Sequence, residues 1–383
     1  MVSSYQPQKR SGPGVLSILL AVVLIGLIVA AVIIGRGGGK QVISTGGTTT
    51  VRVVAGSEKI PYFQDPDVVK RLDELGLKVE ATSSGSRKIA TRSDLKEFDA
   101  AFPSSAPAAE KISRETQPKG IYSPFHSPMA VATFDPILGS LEKQQVAMQR
   151  DGVWYLNVEK YLELASSGKR WRDIAPEFPS PLAVQISSTD IRSSNSAAMY
   201  LSVAAWVANG GNVPATDQEV SKVVNKVSPL FTHQGFTGGS SAGPFAEYLT
   251  QGMGARPMVL IYEAQFIGQQ ISAPNTVGQN MKLMYLDPTI SSQHTLLAYS
   301  DGGDKLGEAL ATDATLQRLA AEHGFRPNSP GVFNEVLKDK GMATPPEFLA
   351  TINPPDFDRL EQLIEGVSAQ YNGSAPPEGA PEQ

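Results

Sequence analysis

The stretches "VRVVAG" (residues 51–56) and "LKVEATSS" (residues 77–84) decide the fold. Both are β-branched apolar runs, which is typical of buried strands. Between them, residues 65–76 carry apolar side chains on one helical face and end at Gly76, a residue typical of a helix C-terminus. A third short run, "FDAAF" (residues 98–102), predicts another strand. Strand, helix and strand joined by short loops predict an α/β fold with a parallel sheet covered by helices.

The pattern returns later in the chain with different spacing. Residues 181–187 and 256–267 are predicted strands, and an apolar run after Asn195 is a predicted helix. Two proline-marked apolar runs, residues 127–134 and 281–288, lie between the two blocks. We interpret these runs as crossings between two lobes, one built from residues 51–125 plus 285–370 and the other from residues 126–284.

The N-terminal region contains a candidate membrane anchor. The sequence "VLSILLAVVLIGLIVAAVIIG" (residues 15–35) is 21 residues long and has no charge, enough to span a hydrocarbon core of about 30 Å. Signal peptides that are cleaved normally have apolar cores of about 7 to 15 residues, so we expect an uncleaved transmembrane helix. Cleavage after Ala30 or Ala31 is the alternative. Lys and Arg residues flank both ends, so charge does not decide the orientation.

The anchor divides the chain into further segments. Residues 1–14 are a predicted cytoplasmic stub, residues 36–50 a Gly/Thr-rich tether, and residues 371–383 a disordered tail rich in Pro, Gly and Glu. The lipid bilayer is thus one expected partner. We expect a single-pass protein located in the cell membrane.

Composition excludes several classes of function. The 383 residues carry a net charge of -5, without the basic excess of a nucleic-acid binder. The chain has no cysteine, so disulfides, thiolate metal sites and cysteine nucleophiles are excluded. Its histidines, at positions 126, 233, 294 and 323, lack metal-site spacing, and we expect neither a metal nor a cofactor.

Hydroxyl and amide side chains cluster where predicted strands lead into helices. In open parallel sheets, ligands bind beyond the carboxyl ends of the strands, where helix N-termini offer free N–H groups. The candidate binding residues are Ser57, Ser84, Ser86, Arg87, Ser104, Ser105, Ser194, Asn195 and Ser196. Ordinary helix capping is the alternative explanation for each cluster, because Ser and Asn are preferred caps.

Charged and aromatic side chains near these turns also have candidate roles. Tyr262 or Glu263 lies at the end of a predicted strand, which favours a position at the cleft, and we take Tyr262 as the binding residue. Arg87 could add positive charge beside a bound anion. Glu58 would repel an anion, so we expect it to pair with Lys59 or Arg87, or to contact a cationic part of the ligand.

The order of these blocks resembles a known family. The segments "VRVVAGSEK", "VEATSSGSRKIA", "FDAAFPSSAPAAEKI", "PMAVATFDPI", "STDIRSSNSAAMYLS", "PMVLIYEAQFI" and "YLDPTISSQHTLLAYSDG" are together similar to type II extracellular solute-binding proteins over about residues 51–340. The resemblance implies a two-lobed periplasmic-binding-protein-like fold, with the ligand in the cleft. The family's ligand loops would map onto Ser57, Ser86, Ser104 or Ser105, and Ser194 to Ser196.

The resemblance also implies a function without covalent chemistry. We expect a membrane-anchored, extracytoplasmic protein that captures a small polar or anionic solute for an ABC-type transporter. A spanning segment replaces the lipid-modified cysteine of many members, and the paired Arg and Asp of phosphate binders are missing from these loops. One alternative is a ligand-free envelope sensor of the same fold. Another is a membrane-anchored serine hydrolase, since "GSSAG" around Ser241 is followed by Asp287 and His294.

Overall fold

The computed structural model of the protein describes residues 47–234, 238–329, 331–346 and 349–371. The predicted anchor at 15–35, the stub at 1–14, residues 36–46 of the tether and residues 372–383 of the tail lie outside them. Within these described ranges, no helix is long and apolar enough to cross a bilayer. The last tether residues, Thr49 and Thr50, already belong to the first strand.

The described residues form a ten-stranded mixed sheet with the order β2-β1-β3-β9-β4-β8-β6-β5, and β7 and β10 also pair with β4. The strands are β1 (Thr49–Ala55), β2 (Leu77–Ser83), β3 (Ala100–Phe102), β4 (Gly120–Phe134), β5 (Ala147–Arg150), β6 (Val153–Asn157), β7 (Met258–Tyr262), β8 (Met281–Asp287), β9 (Ser291–Ala298) and β10 (Arg326–Pro327).

Helices cover both faces of this sheet. They are α1 (Ile60–Gln64), α2 (Pro66–Glu74), α3 (Ser86–Ala90), α4 (Ala106–Thr116), α5 (Asp135–Lys143), α6 (Val158–Ser166), α7 (Trp171–Ile174), α8 (Asn195–Ala208), α9 (Asp217–Val227), α10 (Pro229–Thr232), α11 (Ala242–Gln251), α12 (Glu263–Ser272), α13 (Asp301–Thr312), α14 (Ala314–Glu322), α15 (Val332–Asp339) and α16 (Phe357–Ser368).

The strand β4 divides the sheet into two halves. Its residues 120–128 pair with β9 and β10, whereas residues 129–134 pair with β7 and β8. The link from β8 to β9 makes the second passage between the halves. We call the half containing β1, β2, β3, β9 and β10, with its helices, the first lobe, and the half containing β5 to β8 the second lobe. The parallel β1–β2 and β1–β3 pairs agree with the opening strand-helix-strand pattern.

Each lobe has its own buried core. In the first lobe, Val53, Phe102 and Leu296 belong to one apolar cluster. In the second lobe, α8 is buried along most of its length and packs among the strands and helices. The helix α16 lies in the range predicted for the first lobe, but its apolar face joins the second core through Leu360, Leu363 and Ile364. Its partner is the apolar face of α9.

Two predicted strands differ in the structure. Residues 181–187 make only isolated bridges, between Ala183 and Arg170 and between Ser187 and Val259. The strand predicted at 256–267 ends at Tyr262, and α12 begins at the next residue. The side chain of Gln265 accepts a hydrogen bond of 3.0 Å from the Tyr262 N–H, which caps the new helix. A continuous apolar run does not distinguish a buried strand from a strand that leads into a helix.

Candidate functional site

Three turns of the first lobe meet at one edge of the sheet. The parallel strands β1, β2 and β3 align Ala55 with Ser83 and Phe102, so the turns that follow lie side by side. The Ser104 N–H donates a hydrogen bond of 2.8 Å to the hydroxyl of Ser86. The clusters that follow β2 and β3 are thus brought together by the register of the strands.

The facing wall belongs to the second lobe. Thr189, Ser194 and Ser196 form a buried hydroxyl cluster, with distances of 2.6 Å from Thr189 to Ser194, 2.8 Å from Thr189 to Ser196 and 3.0 Å from Ser194 to Ser196. Ser194 is the N-cap residue of α8, but its side chain makes no capping hydrogen bond. Ser105, the N-cap residue of α4, makes none either. Capping therefore does not account for these two serines.

The two walls touch at Asn195. Its amide nitrogen donates to the Ser104 carbonyl at 3.3 Å and to the Tyr262 hydroxyl at 3.0 Å. These contacts place the N-terminus of α4 from one lobe against the N-terminus of α8 from the other. Of the candidate residues, Ser86, Ser104, Ser105, Asn195 and Tyr262 are buried at this junction.

Other candidates lie at the margin of the junction. Ser57 is exposed, and its hydroxyl lies 3.4 Å from that of Ser240 in the opposite lobe. Ser84 is partly buried and donates its backbone N–H to the Ala55 carbonyl at 2.9 Å. Both residues therefore lie at the edge of the contact between the lobes.

Arg87, for which the sequence suggests a place beside a bound anion, is instead engaged by groups of the second lobe. Its guanidinium forms a two-bond ion pair with Glu361, at 2.7 and 2.5 Å. It also donates to the carbonyls of Ile191 at 3.0 Å and Arg192 at 2.6 Å. Because these four bonds engage the guanidinium in contacts with the second core and its loop, we assign Arg87 to holding the lobes together.

At the centre of the junction lies a buried charged cluster. The Lys59 side chain is fully buried, and its Nζ lies 2.8 Å from Glu58 Oε1 and 3.2 Å from His294 Nδ1. It also lies over the ring of Phe102, 4.8 Å from the centroid. The hydroxyl of Ser104 donates to Glu58 and accepts from Lys59. Of the partners considered for Glu58, the structure selects Lys59.

This environment shifts the pKa values of the cluster. Burial by itself raises the pKa of Glu58, but the charge of Lys59, the proximity of His294 and hydrogen bonds from Lys59 and Ser104 outweigh it and lower that pKa to about 2. Burial and the adjacent Lys59 lower the pKa of His294 well below its usual value. Near neutral pH, Glu58 is therefore ionised and His294 is neutral.

Two buried polar atoms near this cluster have no hydrogen-bond partner in the described part of the chain. They are Asn195 Oδ1 and His294 Nε2. Since Nδ1 of neutral His294 faces the Lys59 ammonium and accepts from it, Nε2 carries the proton and is a donor. Buried polar groups are almost always satisfied, so an unused acceptor and an unused donor suit a bound polar molecule.

The structure does not support the alternative of a serine hydrolase. Ser241 donates to the Gln265 side chain at 2.9 Å, Asp287 pairs with Arg150 at 2.5 Å, and His294 faces Lys59. These three residues have separate partners and form no triad. Among the described residues, no three potential metal-binding side chains come together.

Sequence reasoning missed the role of two residues. The sequence predicts Lys59 only as a partner for Glu58, and His294 only as an isolated histidine or a member of a catalytic triad. The signal for Lys59 is its place directly after a buried strand, at the turn "GSEK". No local signal marks His294, because its partners lie 235 residues away along the chain.

Comparison with solved structures supports the two-lobed fold. The sulfate-binding protein SubI from Mycobacterium tuberculosis H37Rv matches with 16% identity and a TM-score of 0.51, covering 84% of this chain and 99% of SubI. The periplasmic binding protein AfuA from Actinobacillus pleuropneumoniae, with fructose-6-phosphate bound, matches with 11% identity and a TM-score of 0.52, covering 86% and 100%. Iron-bound HitA from Pseudomonas aeruginosa matches with 12% identity and a TM-score of 0.50, covering 83% and 97%.

These neighbours include a sulfate-binding protein and a periplasmic binding protein, and the likeness confirms the two-lobed α/β fold expected from the sequence. The prediction of a parallel sheet is wrong around β4, because β4 pairs with β7, β8 and β9 in antiparallel fashion. No protein-family model matches the sequence, and no curated protein matches it. At identities this low, the likeness concerns the fold and leaves the ligand to be argued from this chain's own residues.

Proposed function

We propose that the protein is a membrane-anchored, extracytoplasmic solute-binding protein that captures a small polar, anionic solute between its lobes and delivers it to an ABC-type permease. Residues 15–35 would hold it in the bilayer. The solute-binding role is supported by the neighbours, which are binding proteins for sulfate, iron and sugar phosphate. The anchor is supported by the length of the apolar segment.

One observation carries the anionic part of the proposal. The N-termini of α4 and α8, from different lobes, meet where Asn195 contacts Ser104, and the side chains of their N-cap residues make no capping bonds. A helix N-terminus carries about +0.5 of an elementary charge. Two such ends facing each other repel, and a shared anion relieves the repulsion while accepting from the free N–H groups.

The contacts between the lobes favour a second candidate, the ligand-free sensor. Asn195, Arg87 and Ser57 make direct contacts with the opposite lobe, so protein groups join the two lobes. A protein that closes without a ligand could present a constant surface to another envelope component. Binding measurements separate the two functions.

The experiment is a thermal-stability screen of the purified full-length chain in detergent, against sulfate, phosphate, sugar phosphates, amino acids and sugars. A solute present at about 100 times its Kd stabilises the folded state by about 2.7 kcal/mol. We expect at least one anion to raise the melting temperature. If every solute leaves it unchanged, the sensor function replaces this proposal.

Two variants locate the site. Asn195→Ala removes the unused Oδ1 acceptor and its links to Ser104 and Tyr262, so it should weaken solute binding by about tenfold or more. Asn209→Ala, just beyond the other end of the same helix, is the matched control and should leave affinity unchanged, since the Asn209 side chain bonds to the nearby Asn212 carbonyl, away from the contact between Asn195 and Ser104. Equal affinities for both variants would place the solute elsewhere.

A further inference from the structure

The junction between the lobes contains an anionic group that belongs to the chain itself. Glu58 Oε1 lies 2.8 Å from Lys59 Nζ and 3.6 Å from His294 Nδ1, and it accepts a hydrogen bond from the Ser104 hydroxyl. An ammonium and a hydroxyl that converge on one carboxylate oxygen are the contacts by which proteins hold bound anions. We call Lys59 and Ser104, which donate to this oxygen, the anion cradle.

The local backbone is built to turn Glu58 into this cradle. A Cβ atom at Gly56 would lie 2.3 Å from Ser104 Oγ and 2.5 Å from Glu58 Oε1, so only glycine leaves room for the side chain to fold back. The Glu58 side chain is 12% exposed, whereas the adjacent Ser57 is exposed. Glutamate is rarely buried without a partner, and here Lys59 supplies one.

We propose that Glu58 occupies the position taken by the anionic group of the solute, so that a solute binds in the cradle only after Glu58 leaves it. This inference rests on the proposed solute-binding function and adds the chemical class: an oxyanion or carboxylate that Lys59 and Ser104 hold in the place of Glu58. The unused Asn195 Oδ1 and His294 Nε2 are left to contact the polar remainder of the solute.

The built-in carboxylate sets a threshold for binding. When a site is available in only a fraction of molecules, the apparent Kd rises by the inverse of that fraction. If Glu58 fills the cradle in about 90–99% of molecules, apparent Kd values rise about 10- to 100-fold. The apparent Kd of every anion rises by the same factor, so only anions with a low intrinsic Kd bind at low concentration.

The test is calorimetric titration of full-length chain in detergent with sulfate and with acetate. Glu58→Gln should bind sulfate at least about tenfold more tightly than the wild type, and should gain measurable acetate binding. Asp190→Asn is the matched control, because it also removes one negative charge. Asp190 lies in the loop before α8, outside the cradle, and is paired with Arg192. This control should change sulfate affinity less than about threefold, by charge alone.

A second readout distinguishes displacement from a simple charge effect. When sulfate moves Glu58 into solvent, the pKa of Glu58 should return from about 2 toward its ordinary value of 4.5. The wild type should therefore take up part of a proton on binding at about pH 4, and E58Q should not. Titrations in buffers of different ionisation enthalpy measure this uptake, and a wild type that binds sulfate without it contradicts the displacement.

The remaining outcomes are also decisive. If E58Q does not fold in plain buffer, millimolar sulfate should restore its cooperative unfolding, because the anion then compensates Lys59; no restoration overturns the inference. If the wild type binds an anion and E58Q binds it no more tightly, the inference fails and the proposed function stands. If no variant binds any solute, both fail.

Discussion

The ion pair between Glu263 and Arg326 provides a strong test of how the lobes are held beside the crossing strand. Glu263 begins α12 in the second lobe, and Arg326 lies on β10, which pairs with β4 in the first. Two hydrogen bonds of 2.6 and 2.7 Å join them, and Tyr285 donates a third to Glu263. The side chains are 0% and 10% exposed.

Glu263→Gln should be strongly destabilising. It leaves the Arg326 charge buried without its partner, which costs about 3–5 kcal/mol. For a folded unit of this size, 1 kcal/mol corresponds to about 2 °C, so the melting temperature should fall by roughly 6–10 °C. The measurement is urea unfolding together with a thermal scan of the full-length chain.

Two controls show whether the buried charge is the cause. Glu80→Gln breaks an exposed pair with Lys78, whose side chains are 51% and 62% exposed, and should change stability by less than about 0.5 kcal/mol. Adding Arg326→Met to Glu263→Gln removes the orphaned charge and should recover most of the loss. A Glu263→Gln variant as stable as the wild type would refute the reasoning, as would a double variant less stable than the single one.

Two further predictions concern stability. The pKa of Glu58 lies at about 2 in the fold, below its ordinary 4.5, so ionised Glu58 contributes about 3 kcal/mol to the free energy of unfolding above about pH 4.5 and loses this contribution as the pH falls toward 2. The difference in the free energy of unfolding between wild type and E58Q should therefore shrink between about pH 6 and pH 3. A difference that stays constant over this range would contradict the lowered pKa. Gly303→Ala should destabilise the fold by about 1–3 kcal/mol, because the new Cβ would lie 2.0 Å from the Asp99 carbonyl oxygen. Gly139→Ala, in α5 with nothing within 4 Å of the new Cβ, should stabilise it by about 0.5–1 kcal/mol. If urea unfolding shows changes of the same sign in both variants, the close approach of Gly303 to Asp99 is wrong.

The candidate site was only partly predictable from the sequence. The serine clusters at 84–86 and 104–105 follow parallel strands, and register alone brings them to one edge. The contact between Asn195 and Ser104 joins residues 91 positions apart and depends on how the lobes meet. The sequence suggests a place for Arg87 beside the ligand, but Glu361 in α16 engages its guanidinium in a contact between the lobes.

The sequence by itself determined the strand-helix-strand pattern, the apolar segment at 15–35 and the absence of cysteine chemistry, because each depends on composition or on residues a few positions apart. Only the tertiary structure decided that Glu58 pairs with a fully buried Lys59 against His294, and that α16 joins the second core. These outcomes depend on desolvation and on charges brought together from distant parts of the chain, and no local pattern records them.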